Sequence, residues 1–288
     1  MYQRRPTVFG VEDCLYLAVY THDTKGKAPV LFHLHGGGFI AGNGPHKTDP
    51  RYLMDEDVVV VVVNYRVGIM GFLSFEDNVM PGNQGLKDQV MALRWVKNNI
   101  AKFGGDPNKV TLVGESAGAA SVYHHTISPL SKGLFHRGIA ESGSSYNMRC
   151  IMPPGMAKER AQKLAELVSC RKNNSKEATD CLLKKDAKEL VGHMEDFRAY
   201  TDSWYTSGIF DAANKHTGDV YFYYFDYRGE FSFFPSGGNK TQYAIGASHT
   251  DEIIYLWHNK NFASNLKGED LELSKKLVKI WTDFAKFG

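Results

Sequence analysis

Gly114-Glu115-Ser116-Ala117-Gly118 is a segment able to present a nucleophile: it follows the apolar run Val110–Val113 and leads into a stretch of small residues with helical character. A strand, a tight turn and a helix in that order force the serine into a strained backbone conformation. Its hydroxyl is then left exposed at the carboxyl end of a sheet, where an incoming carbonyl can be attacked. The same five letters also occur as a plain Gly-Ser turn, so the strand-turn-helix context carries the reading. Upstream, His35-Gly36-Gly37-Gly38-Phe39 follows the strand-like run Pro29–Leu34. Glycines let backbone N–H groups approach a reacting group with no Cβ in the way. The amides of Gly37 and Gly38, together with that of Ala117, would form an oxyanion hole, in which loss of one donor typically costs roughly 2.7 to 4 kcal/mol of transition-state stabilisation.

The elements that must hold these groups alternate. Val58–Val63 reads as a buried parallel strand. Leu86, Val90, Leu93, Val96, Ile100 and Phe103 recur at three- and four-residue spacing, which predicts a crossover helix leading into the Ser116 strand and ended by Gly104 and Gly105. Leu271–Phe287 predicts a second amphipathic helix. Val220–Phe225 reads as a strand that either pairs with Gly138–Ala140 or leaves that sheet edge open. The implied architecture is α/β, a mostly parallel sheet with helices on both faces and the reactive groups at the carboxyl ends of the strands.

Composition excludes little and adds no competing chemistry. The chain of 288 residues carries 34 Lys plus Arg against 32 Asp plus Glu, so no charge excess draws it to nucleic acid or an anionic membrane. Its longest apolar run, Val58–Val63, is far short of the roughly 20 residues of a membrane span. Met1–Pro6 has no apolar core and does not read as a secretory signal. His33 and His35 alternate along a strand, and His124 and His125 point to different sides of a helix, so neither pair suggests a metal site.

Several further segments sit in register with one family. Glu12-Asp13-Cys14-Leu15-Tyr16-Leu17, Asn64-Tyr65-Arg66, Gly82–Gln89, Phe103-Gly104-Gly105-Asp106-Pro107 and Ser142-Gly143, beside the serine and glycine motifs, make the chain resemble the type B carboxylesterases. These are the cholinesterase-like α/β-hydrolases, and the likeness is strongest to those of insects. Ala18 stands where the family usually has asparagine. The resemblance implies an α/β-hydrolase fold and a small-molecule ester substrate, with no metal or organic cofactor. By the same resemblance Ser116 is the nucleophile and His249, in Gly246–Glu252, the general base. Glu115 and Ser142 form a polar layer beneath the nucleophile, and Cys170 and Cys181 form a disulfide. An imidazole titrating near neutrality suits the base, and His249 alone among the histidines follows Ser116 in a motif-bearing loop, in the chain order the triad requires. Cys14 resembles a residue whose partner lies before Met1, and Cys150 has no assigned partner, so a free thiol is expected. Asn173-Asn174-Ser175 and Asn239-Lys240-Thr241 are glycosylation sequons and, with the disulfide, favour the secretory route.

The resemblance also exposes a gap. The family's acid lies after a buried strand, in a pattern like Gly-Val-x-x-x-Glu-Gly, and no such stretch occurs between Ser116 and His249. Glu195, Asp196 and Asp202 read as a polar connection, and Asp251 and Glu252 as first-turn carboxylates of a helix beginning near His249. The chain therefore reads as one partial catalytic domain, 1–288, with an internal deletion near 194–200. The leading function is hydrolysis of carboxylic esters through a serine acyl-enzyme. A non-catalytic binding relative and an inactive partial gene product are the competing readings, the first weakened by retention of Ser116, the glycine loop and His249.

Overall fold

The computed structural model describes residues 8, 10–145, 151–194, 215–232, 247–258 and 266–288. Five strands build one sheet: β1 (Leu17–Tyr20), β2 (Ala28–Leu34), β3 (Val59–Val63), β4 (Gly105–Glu115) and β5 (Arg137–Glu141). Their spatial order is β1-β3-β2-β4-β5. Only β1 runs antiparallel, against β3; the remaining pairs are parallel. The helices are α1 (Gly44–Lys47), α2 (Gly68–Phe72), α3 (Gln84–Asn99), α4 (Ala117–Ile127), α5 (Met156–Leu167), α6 (Ser175–Leu182), α7 (Ala187–Gly192) and α8 (Gly268–Phe287).

The central strands are apolar on both faces because both are covered. Val30, Phe32 and Leu34 of β2 and Val110 and Leu112 of β4 face Val90, Leu93 and Val96 of α3 and Val122 of α4. Leu31, Val60, Val62, Val113 and Ile139 point the other way, onto Leu277, Val278, Trp281 and Ala285 of α8. A strand alternates its side chains, so a continuous valine run such as β3 is stable only between two such layers. The predicted crossover helix is present as α3, continued by a 3-10 turn at Ile100–Phe103 that ends on Gly104 in the left-handed region. A Cβ at Gly104 would lie 1.7 Å from the Asp23 carbonyl oxygen, which accounts for glycine there.

One expected strand is absent. Val220–Phe225 joins no ladder, and β5 pairs only with β4, so among the described residues β5 is an open edge of the sheet, opposite β1. The segment keeps a period of two without a strand's hydrogen bonds. Tyr221 packs on Phe284, Tyr223 on Trp281, and Phe225 and Tyr227 on Tyr255, at ring separations of 6.0, 5.3, 5.9 and 5.9 Å. Val220, Phe222 and Tyr224 between them are exposed, Tyr221 and Tyr223 also keep much of their surface in solvent, and only Phe225 and Tyr227 are half-buried. Aromatic alternation suits any half-buried surface, and here α8 supplies that surface in place of a neighbouring strand.

α5, α6 and α7 enclose a separate small core in which Ala161, Leu164, Ala178 and Leu182 surround the buried Cys170. Cys170 and Cys181 are disulfide-bonded, their Cα atoms 5.5 Å apart. Cys14 is a free, half-buried thiol, and burial raises its pKa; Cys150 lies outside the described residues. Because a short loop is closed, replacing Cys170 and Cys181 together by serine is expected to lower unfolding free energy by about 3 kcal/mol. Urea denaturation of both forms measures this, and equal midpoints would show that the bridge contributes nothing.

Candidate active site

The serine elbow follows from close contacts that only glycine tolerates. A Cβ on Gly118 would sit 1.9 Å from the Leu34 carbonyl oxygen, one on Gly114 2.3 Å from the Gly118 carbonyl oxygen, and one on Gly143 2.5 Å from the Ser116 carbonyl oxygen. Chain segments from β2, β4, α4 and the end of β5 therefore meet at backbone contact around residue 116. Ser116 itself adopts φ 54°, ψ −114°, a conformation that L-residues rarely occupy. Its N–H donates to the Glu141 carbonyl at 2.8 Å, extending the β4–β5 ladder past the Glu115↔Glu141 pair.

His249 arrives from 133 residues downstream and places its Nε2 3.1 Å from Ser116 Oγ. In the tautomer with the proton on Nδ1, Nε2 accepts the serine hydroxyl proton. The turn carrying the imidazole is pinned on both sides. Ser248 N–H donates to Asp251 Oδ2 at 2.8 Å, and Asp251 Oδ1 accepts from the Ser232 hydroxyl at 3.0 Å. Thr250 N–H donates to Ser142 Oγ at 3.3 Å, while the Ser142 hydroxyl donates to Glu252. Asp251 and Glu252 thus do more than face a helix terminus: they lie in a 3-10 turn, Asp251–Tyr255, and brace the base loop through side-chain bonds. Ser142, expected beneath the nucleophile, links β5 to that loop.

The glycine loop leaves β2 beside the elbow, since Leu34 pairs with Gly114. Gly37 and Gly38 have φ 109° and 64°, and the Gly37 carbonyl accepts from the amides of Ile40 and Ala41, folding the loop back on itself. Ala117 opens α4, where the first amides have no acceptor within the helix. Glu115 ties elbow to loop: its Oε1 accepts the Gly36 N–H at 2.7 Å. On the other side Tyr65 stacks on the His35 ring at 4.3 Å and donates its hydroxyl to the His35 carbonyl at 2.5 Å. Asn64 bridges the Gly44 amide and the Cys14 carbonyl, and Arg66 forms a two-point pair with Asp88 at 2.8 Å. Behind Ala117, Gln89 bonds His125 and Ser121, and Ser121 donates to the Ala117 carbonyl. The motifs away from the serine are therefore struts for the loop and the elbow.

Glu115, Glu141 and Glu252 gather under the pair, and each is held above the ordinary carboxylate range chiefly by burial. Burial lifts Glu115 to about 7, against the pull of the Gly36 N–H, and the charge of Glu252 adds to the rise. Glu195, Asp196 and Asp202 lie outside the described residues, as does Asn239, while Asn173 is exposed just before α6. Among the described residues no group of three metal-ligating side chains could hold an ion. The site instead combines a hydroxyl, an imidazole in reach of it and a loop of glycine amides, a set suited to acyl transfer.

Comparison with known proteins points the same way. A family model described as the carboxylesterase family matches residues 1–200 and 197–288. The chain is 47% identical over 194 residues to venom carboxylesterase-6 of Apis mellifera, covering 66% of this chain and 34% of that protein. It is 45% identical over 209 residues to esterase FE4 of Myzus persicae, covering 69% and 36%, and 47% identical over 184 residues to the cholinesterase of Mus musculus, covering 62% and 30%. The aligned part thus spans about a third of the length of these relatives.

The Glu115 carboxyl sets a stability trend with a definite sign. Its folded pKa of about 7 lies above the ordinary 4.5, so the stabilisation from its bound proton is complete below about pH 4.5 and is lost as pH rises through 7. A shift of that size corresponds to about 3 kcal/mol across the window. Glu115→Gln should remove this component, giving a shallower decline than the parent chain in urea titrations from pH 4.5 to 7.5. Parallel curves would show that Glu115 titrates normally.

Proposed function

The chain belongs to the carboxylesterase family, and from that premise we propose that it hydrolyses carboxylic esters through an acyl-enzyme on Ser116. The observation that carries this reading is the 3.1 Å approach of His249 Nε2 to the hydroxyl of a serine held at positive φ. Ser116 Oγ attacks the ester carbonyl as its proton passes to Nε2. The amides of Gly37, Gly38 and Ala117 receive the developing oxyanion, and the imidazolium returns the proton to the departing alkoxide. Water, deprotonated by the same imidazole, then releases the acid and restores Ser116.

The family's acid motif does not occur between Ser116 and His249, so no third carboxylate is assigned. In triad enzymes loss of that group lowers turnover by roughly 10⁴-fold while the oxyanion hole and binding retain roughly 10³- to 10⁴-fold over water. The expected phenotype is a slow esterase that is readily acylated. The family match in two blocks meeting at 197–200 supports a single catalytic domain interrupted near 194–200. The disulfide and the exposed Asn173 sequon support passage through an oxidising secretory compartment, with Asn173 carrying glycan. No helix among the described residues is long and apolar enough to cross a membrane.

A fluorophosphonate ester should give a single adduct on Ser116, read by intact mass and peptide mapping, and none in Ser116→Ala. His249→Ala should slow labelling by roughly 10²- to 10⁴-fold, the usual contribution of a general base. A folded chain that takes up no probe would sink the catalytic reading and leave a binding protein of the same fold.

A further inference from the structure

Residue 141 joins the nucleophile to the far side of the sheet. Its carbonyl accepts the Ser116 N–H, and its side chain, on the opposite branch of the same residue, accepts the indole N–H of Trp281 on α8 at 2.7 Å. Both side chains are buried. The second oxygen, Glu141 Oε2, has no hydrogen-bond partner, and no cation pairs with this group among the described residues. An ionised carboxylate so placed would be an uncompensated buried charge, so the surroundings of Glu141 favour the neutral acid. Burial, and then the charges of Glu252 and Glu115, act in that direction. A neutral acid is a weak acceptor on its carbonyl oxygen, and the indole is the donor that fixes its rotamer.

The same indole reaches the general base by a second route. Tyr223 packs edge-on against the Trp281 ring at 5.3 Å, and Tyr223 and Glu252 lie close enough to act electrostatically on each other. Glu252 in turn accepts from Ser142, whose oxygen receives the Thr250 amide beside His249. One side chain therefore touches the strand end that holds Ser116 and, through Tyr223, reaches the carboxylate that braces the His249 turn. Among the described residues β5 pairs only with β4, and the α8 contact restrains the Glu141 side chain laterally.

We infer that Trp281 is a positioning residue for the Ser116–His249 pair, acting through Glu141 on the nucleophile and through Tyr223 and Glu252 on the base. Its importance for chemistry rests on the acyl-enzyme reading; its effect on geometry does not. A displacement of about 1 Å at such a pair can cost on the order of 10²-fold in rate, and a Trp281→Phe change removes the donor while leaving an aromatic ring in the core.

Full-length Trp281→Phe and Glu141→Gln are compared with the parent chain in two measurements. Labelling by the fluorophosphonate ester, normalised to folded fraction by circular dichroism, is expected to slow by about tenfold or more in Trp281→Phe, within the range that misplacement produces. Glu141→Gln keeps a neutral acceptor oxygen for the indole and should label close to the parent rate. The His249 imidazole titration, followed by NMR, needs no turnover; its midpoint should move in Trp281→Phe and stay in Glu141→Gln. Parent-like labelling with an unmoved titration in Trp281→Phe would overturn the inference. So would a loss that merely tracks folded protein, or an equal loss in Glu141→Gln. If the parent chain takes up no probe, the acyl-enzyme reading fails on its own, and the titration still decides the positioning role. Should Trp281→Phe not fold, Tyr223→Phe removes the hydroxyl on which Glu252 acts while keeping the ring, and an unmoved His249 midpoint there overturns the role.

Discussion

The bond from the Ser116 amide to the Glu141 carbonyl is the constraint around which the site is arranged. It holds a non-glycine residue at positive φ, a conformation the backbone would otherwise leave. The strain is tolerated because the neighbouring glycines allow backbone to touch backbone, and because β4 lies buried between β2 and β5 with no freedom to relax. Exposure of the hydroxyl at the end of the strand is the geometric consequence. A side chain anywhere in this nest would push the elbow away from Leu34 and so from the glycine loop.

Positioning of the partners then follows from bonds between distant segments rather than from local preference. Glu115, next to the nucleophile, is bonded to the loop 79 residues upstream, and Ser142, one residue beyond the Glu141 anchor, is bonded to the loop that carries His249. The serine is thus flanked in space by residues whose side chains reach both of its collaborators. These bonds cost little conformational freedom, since each begins from a residue already fixed in the sheet. Their polar atoms are satisfied by main-chain amides or hydroxyls, which is what permits carboxyl groups so far from water.

Electrostatics set a limit on this arrangement. Glu115, Glu141 and Glu252 repel one another when ionised and sit where solvent cannot screen them, so each is held above the ordinary carboxylate range. The turn that carries His249 is held by its main chain, through Thr250 and Ser248, which preserves the reach of Nε2 to the serine.

Much of this was legible in the residues alone. The apolar runs of β2, β3 and β4, the three-and-four spacing of α3 and the amphipathic face of α8 fixed the layers, because burial on both sides of a parallel sheet leaves a clear pattern. Gly-x-Ser-x-Gly and the three glycines after His35 announced the elbow and the loop, since the conformations they need exclude other side chains. Val220–Phe225 misled: its aromatic alternation reports a surface to be covered, and whether a strand or a helix provides that surface lies outside the segment. Nor could spacing along the chain join Glu141 to Trp281, or Ser142 to Glu252, because each bond spans more than a hundred residues and depends on which strand end faces which helix. The sequence determined the serine elbow, the glycine loop and the layers; only tertiary packing decided how His249 is held to Ser116, because hydrogen bonds over such separations exist only once the sheet has brought their partners together.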